Sequence, residues 1–326
     1  MTDIARIRAA AARLAPAARR TPLLESPFLN AAAGRRVLVK AECLQHTGSF
    51  KFRGAWSALT ALDEAARRRG VIAFSSGNHA QGVAYAAKRL GVPAVIIMPQ
   101  DAPALKLANT RAFGAEVVLY RRHEESREAI GEALAAERGL TLIRPYDHPD
   151  VIAGQGTCGL ELAEQAREAG ATEADVMVCT GGGGLSAGIA LALEAEAPGL
   201  RVRPVEPEGW DDWRLSLAAG APRPAPGDRA SICDAIVTPA PGELTWPILS
   251  RLAGPALAVS DQDALDAMCA AFDRLKLTLE PGGAVGLAAA LFHGETVSGD
   301  AVIAVVTGGN VDRPMFAKAL ARPARV

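Results

Sequence analysis

Aromatic residues make up only 5% of the 326 positions, no tract of basic residues is long enough to hold nucleic acid, and no apolar run is long enough to span a bilayer. Each absence closes a class of function. Without such a run no transmembrane helix is expected, and the opening Met1–Arg8 reads as the start of an amphipathic helix rather than a signal peptide, which makes a cytoplasmic location the expectation. A net charge of −1 gives no electrostatic basis for holding nucleic acid. Cys43, Cys158, Cys179, Cys233 and Cys269 are widely spaced and never form a Cys-x-x-Cys pair. They read as reduced core thiols and suggest no zinc site. A small-molecule partner remains.

Ala, Gly, Val and Leu fill the chain instead, a composition suited to helices packed closely on sheets. Short β-branched runs alternate with helical stretches: 71–74, 94–98, 116–120 and 141–144, then 175–179, 201–206, 257–260 and 301–306. This alternation predicts βαβ units on parallel sheets. A strand at 36–42 precedes them, and one continuous helix is expected from Phe50 to Arg69, with a break at Thr21–Leu23 and a turn at Asn30–Gly34. About nine strands exceed one sheet of ordinary width. The prediction is two open, mostly parallel, three-layer α/β lobes with a cleft between them, residues 53–147 forming the smaller lobe and 1–52 with 148–326 the larger.

Four stretches carry chemistry. In Gln45–Ala55, Lys51 follows a Thr-Gly-Ser turn inside an apolar, glycine-flanked segment. Burial there would lower its pKa, as a nucleophilic or Schiff-base amine requires. The same stretch also fits a helix capped by Ser49 with Lys51 reaching solvent. Ser75-Ser-Gly-Asn-His-Ala-Gln-Gly82 follows a strand and opens a helix, a place suited to an anion such as a carboxylate, or to a capped polar turn. Thr180-Gly-Gly-Gly-Gly-Leu-Ser186 sits between another strand and helix. Its backbone N–H groups suit phosphate, and its pattern matches neither nucleotide motif, so a phosphate without a nucleotide is expected. Thr307-Gly-Gly-Asn-Val-Asp312 closes the last strand as a third small polar loop.

Ser49-Phe-Lys-Phe-Arg-Gly54, Ser75-Ser-Gly-Asn-His79, Gly181-Gly-Gly-Gly-Leu185, Glu280-Pro-Gly-Gly-Ala284 and Thr307-Gly-Gly-Asn310, in this order, resemble the fold type II pyridoxal-phosphate enzymes, and within them the threonine/serine dehydratase and serine racemase branch. The likeness runs from about Ile7 to Ala319. It implies a tryptophan synthase β-like fold, pyridoxal 5'-phosphate as cofactor, an amino-acid substrate and a homodimer. By the same likeness, Lys51 would form the Schiff base and then act as base on the α-proton. Gly181, Gly182, Gly183, Gly184 and Leu185 would hold the phosphate, Phe50 would lie against the ring, and Asn78 would bond its phenolic oxygen. Ser75, Ser76 and His79 would bind the substrate carboxylate, with Ser76 also at the position that serves racemases as the opposite-face acid and base. Dehydratases of the branch carry that serine too. Thr307 would stand beside the pyridine nitrogen, where a hydroxyl favours elimination over a long-lived carbanion.

The resemblance further implies a divalent cation, Mg or Ca, held by the carboxylates of Glu206 and Asp212 and the backbone carbonyl of Trp210. An acidic first helical turn around Gly209 accounts for the same residues. Ala235 stands where the family commonly has glycine, which points to a narrowed or altered substrate pocket. The expected reaction is ammonia release from L-threonine or L-serine to give a 2-oxo acid. Its rivals are a serine racemase, a dehydratase of another β-hydroxy amino acid such as hydroxyaspartate, and a ligand-binding protein without chemistry. A chain ending at Val326 leaves no room for a C-terminal regulatory domain, so end-product feedback is not expected.

Overall fold

The computed structural model describes residues 2–75, 77–102, 104–121, 124–297, 299–322 and 325–326. Among these the strands are β1 (Leu23–Glu25), β2 (Arg36–Ala41), β3 (Val71–Phe74), β4 (Ala94–Pro99), β5 (Glu116–Tyr120), β6 (Thr141–Leu142), β7 (Ala174–Cys179), β8 (Leu200–Pro207), β9 (Leu257–Val259) and β10 (Ala301–Val306). They form a six-stranded sheet, β1-β2-β10-β7-β8-β9, and a four-stranded sheet, β5-β4-β3-β6. Every pairing is parallel except β1 with β2. Strands β3, β4, β7 and β10 are buried along their whole length, as strands covered by helices on both faces must be. No helix among the described residues is long and apolar enough to cross a membrane.

The structure departs from the expected elements where local chemistry is short-ranged. β1 begins directly after the break at Thr21–Pro22 and adds an antiparallel edge, Leu23 opposite Lys40. The expected turn at Asn30–Gly34 is instead the end of a helix, Pro27–Ala33, closed by Gly34 in the left-handed conformation at φ 65°. The expected helix from Phe50 to Arg69 is two, Lys51–Ala61 and Glu64–Arg69, because Leu62 is extended and the Asp63 carboxylate caps the second at the Ala66 N–H, 2.7 Å away.

The helix Lys51–Ala61 presents Phe52, Ala55, Ala58 and Leu59 to a core shared with Val71, Ala73 and Ile96 of the smaller sheet. On another face its Arg53 is fully buried, bidentate to Glu42 at 2.8 Å and bonded to Glu161 at 2.7 and 2.9 Å. Lys40 joins the network through Glu161, Gln165 and the Thr21 carbonyl. Burial pushes the Glu42 carboxyl up, but the Arg53 charge and hydrogen bonds outweigh it and hold the group below its ordinary value. Breaking such a network from one side costs about 3–5 kcal/mol. Its position two residues past Lys51 fixes the start of that helix against β2 and the helix Pro149–Glu168.

Candidate active site

The carboxyl ends of β3, β7 and β10 open into one cleft, where the helix Lys51–Ala61 and the helix Pro281–Phe292 also begin. Parallel sheets direct helix N-termini and loop N–H groups to such a place. Phe50, Lys51, Ser75, Asn78, His79, the run Gly181–Leu185 and Thr307 all line it. Ser76 lies outside the described residues.

Lys51 donates from Nζ to the Pro145 carbonyl at 3.0 Å, and its ammonium lies 5.1 Å from the centre of the Phe50 ring. Burial pushes its pKa down to about 8, with the Glu280 charge opposing. The capped-helix alternative fails in detail: among the described residues Ser49 makes no cap bond and its buried hydroxyl has no partner, and Lys51 turns into the cleft.

At the glycine loop, the N–H groups of Gly182 and Gly183 meet no acceptor among the described residues. Gly183 has φ 89°, and a Cβ there would lie 2.4 Å from the Trp213 ring, so the position requires glycine. Thr180 and Ser186 share their hydroxyls at 2.6 Å, which leaves backbone N–H as the loop's main offer to an anion. Together with an amine of depressed pKa, these open N–H groups fit a phosphate-bearing aldehyde cofactor.

The Ser75 hydroxyl accepts from the Gly77 N–H at 3.1 Å, folding the turn so that the helix Asn78–Leu90 starts at the cleft. His79 contributes differently from a side-chain anion donor. Its Nε2 donates to the Ile143 carbonyl at 2.9 Å, its buried Nδ1 has no partner among the described residues, and burial, reinforced by Lys51, pushes its pKa down to about 3. A neutral ring turned to Ile143 leaves the backbone N–H at the helix start to face an anion.

Asn78 donates to Glu280 Oε1 at 2.5 Å and accepts from Asn310 Nδ2 at 2.7 Å, while Asn310 also donates to the Thr47 carbonyl at 2.8 Å. This chain ties four of the motif loops together. Glu280 is buried, and burial pushes its pKa up to about 6 despite the Asn78 bond. Gly308 packs directly beneath it: a Cβ there would fall 1.9 Å from Glu280 Oε1. Gly308→Ala is therefore expected to displace Glu280 and Asn78 and to destabilise the protein by about 1–3 kcal/mol, the range for overpacking. Urea unfolding checks it, and an unchanged midpoint contradicts it.

Sequence reasoning did not single out Glu280 or Asn310, although both stand inside recognised motifs. It also missed Tyr146, Lys106 and Arg127, which line the same cleft. Lys106 Nζ stands 4.0 Å from the place a Gly77 Cβ would occupy, and the Arg127 guanidinium lies 5.5 Å from the Phe74 ring centre. Ala235 lines the cleft too. Cys179, read as core, is buried and reaches the cleft wall beside Thr307.

Glu206 and Asp212 are buried beside each other at the end of β8. Glu206 accepts from the Trp213 and Arg214 N–H groups at 2.9 Å each, capping the helix Asp212–Ala219. Neither Asp212 oxygen has a hydrogen-bond partner among the described residues. Burial and the neighbouring Asp212 push the Glu206 carboxyl well up, and burial pushes Asp212 up to about 7. The Trp210 indole donates to Arg229 at 2.7 Å. The acidic helix-turn alternative thus describes Glu206, whose oxygens are engaged, and leaves Asp212 unexplained. No group of three or more His, Cys, Asp or Glu with metal-ligand geometry occurs among the described residues.

Residues 14–308 match the family described as pyridoxal-phosphate dependent enzyme. The chain is 47% identical to an L-threo-3-hydroxyaspartate ammonia-lyase of Pseudomonas sp, over 95% of this chain and 96% of that one. Among solved structures it superposes on a T.th. threonine deaminase with a TM-score of 0.88 at 45% identity, covering 95% and 99% of the two chains. Maize serine racemase superposes with a TM-score of 0.90 at 38% identity, covering 98% and 97%. The chain belongs to the pyridoxal-phosphate-dependent enzymes of fold type II, and pyridoxal phosphate is its cofactor.

Proposed function

We propose that this enzyme is an ammonia-lyase for a β-hydroxy amino acid bearing a second carboxylate, a 3-hydroxyaspartate, which it converts to oxaloacetate and ammonia. The observation that carries this reading is the pair of cations, Lys106 and Arg127, lining the same cleft as Lys51 and the Ser75–Gly77 turn. One carboxylate at that turn is served by helix N–H groups, and serine or threonine would present nothing further that is charged. Two additional cations suit a second anion, which Arg can hold bidentately. The likeness to the Pseudomonas ammonia-lyase points the same way.

The bound cofactor supplies an electron sink for the bond broken at Cα. Lys51 would anchor it and would take the α-proton at Nζ; the depressed pKa keeps part of that amine neutral near pH 7. Gly181–Leu185 would hold the phosphate, and Phe50, Asn78 and Thr307 would serve the cofactor's ring, Asn78 toward the phenolic oxygen and Thr307 toward the ring nitrogen. Ser75 and the backbone at His79 would hold the α-carboxylate, with Ser76, outside the described residues, assigned there by its motif. A hydroxyl at Thr307 in place of a carboxylate leaves the sink weak, and departure of the β-hydroxyl suits such a sink better than slow reprotonation.

We also place a divalent cation, Mg or Ca, at Asp212, Glu206 and the Trp210 carbonyl, because a buried carboxylate with two unpartnered oxygens is otherwise costly. Chelation of the purified enzyme is expected to lower its melting temperature, and Asp212→Asn to remove the response to added Mg. Identical melting with chelator and with Mg in the parent enzyme contradicts the site.

The rival activity is racemisation, which the likeness to serine racemase raises. Incubation with L-threo-3-hydroxyaspartate and with L-serine, followed by 2-oxo acid assay and chiral chromatography of recovered substrate, distinguishes them. Lyase action predicts 2-oxo acid with residual substrate of unchanged configuration. Accumulation of the inverted amino acid as the main product overturns the proposal.

A further inference from the structure

The glycine loop keeps the open N–H groups of Gly182 and Gly183 aimed at the cleft although it consists of the residue with the weakest conformational preference. We infer that two side chains behind the loop, Trp213 and Thr245, set its orientation and thereby the phosphate affinity, whichever amino acid is the substrate. Trp213 Nε1 donates to the Gly181 carbonyl at 2.7 Å, and Thr245 Oγ1 donates to the Gly182 carbonyl, also at 2.7 Å. In a planar trans peptide the C=O and the following N–H point in opposite directions. Pulling the carbonyls of Gly181 and Gly182 back into the protein therefore turns the N–H groups of Gly182 and Gly183 forward, and neither of these meets an acceptor among the described residues. A flipped peptide would aim a carbonyl oxygen at a phosphate dianion, reversing the dipole where it matters most.

Both donors are themselves fixed. Trp213 is fully buried, its backbone N–H is held by Glu206 at 2.9 Å, and its ring stacks on Trp246 with centroids 6.0 Å apart and planes 29° apart. Gly183 rests against the same indole, as the 2.4 Å approach of a Cβ there indicates. Thr245 is also fully buried. A phenylalanine at 213 would fill most of the same volume, so bulk alone does not call for tryptophan. The indole N–H, a donor with no accepting capacity, does.

The test separates positioning from simple packing by using pyridoxal, which lacks the phosphate, beside pyridoxal phosphate. Trp213→Phe and Thr245→Val each keep most of the shape and remove one donor. Apoenzyme of each, titrated by absorbance, is expected to bind pyridoxal phosphate about three- to tenfold more weakly, the range of one lost hydrogen bond, while its affinity for pyridoxal stays within about twofold of the parent. Unchanged pyridoxal phosphate affinity in both variants, or equal weakening toward both ligands, overturns the inference. A selective loss in Thr245→Val alone overturns the part assigned to Trp213. If Trp213→Phe does not fold, Thr245→Val decides whether the carbonyl clamp controls the phosphate, and its failure to discriminate the two ligands sinks the clamp. None of these readings depends on turnover, so they stay distinct from the substrate assignment.

Discussion

Lys51→Ala is expected to keep its fold and lose ammonia release by about 10⁴-fold or more, because one substitution removes both the cofactor anchor and the base on the α-proton. Two further results separate this from general damage. The pKa of Lys51 is lowered from the ordinary 10.5 to about 8, so the charged amine is penalised in the apo fold. That penalty is complete below pH 8 and is relieved as pH rises toward 10.5, where the amine is neutral in both folded and unfolded chains. Apo Lys51→Ala should accordingly melt above the apo parent at pH 7, the gap closing above about pH 10. In the parent apoenzyme, covalent capture of the cofactor should speed up on the order of fivefold between pH 7 and 8 as the neutral fraction grows, then flatten. Substantial turnover by the variant, or capture independent of pH in this window, contradicts the role.

Arg127→Gln carries the second large effect. If its guanidinium holds the distal carboxylate, the variant loses about 10- to 150-fold in kcat/KM for 3-hydroxyaspartate, the range for a hydrogen bond to a charged group. L-Serine, which has no distal charge, should lose less than about threefold. Lys106→Gln is expected to act in the same direction and more weakly, as a point charge without Arg's planar fork. Arg127 also bonds Glu128 at 2.8 Å, so substrate must draw it partly from a surface partner. The split between substrates is the informative quantity, because a misfolded cleft would harm serine and hydroxyaspartate alike.

The parallel strands were legible because their signal is local: 71–74, 116–120 and 301–306 in the sequence match β3, β5 and β10 in the structure. β1 was not, since three residues after a proline carry no pattern of their own and pair only through Lys40, Val39 and Leu38 of β2. The helix 50–69 misread a propensity as continuous where one extended residue, Leu62, and one cap, Asp63, divide it. In the cleft, motif loops revealed Lys51, Asn78 and the glycine run. Lys106 and Arg127 sit on ordinary amphipathic helices with nothing local to mark them, and only the packing of the first helix on β5 and the helix Asn78–Leu90, and of the second on β3 and β4, brings their charges to the cleft. Trp213 was hidden for another reason: its indole matters through a carbonyl thirty-two residues away.

The substrate assignment rests on charge in the cleft, and one comparison tests it: kcat/KM of the holoenzyme for L-threo-3-hydroxyaspartate, L-threonine and L-serine, measured by 2-oxo acid release at one pH and ionic strength. The cations at Lys106 and Arg127 predict that the dicarboxylic substrate is preferred by at least about tenfold, the advantage of a single charge-assisted contact. Equal or greater kcat/KM for threonine or serine would contradict it and leave those two cations without a role in the reaction.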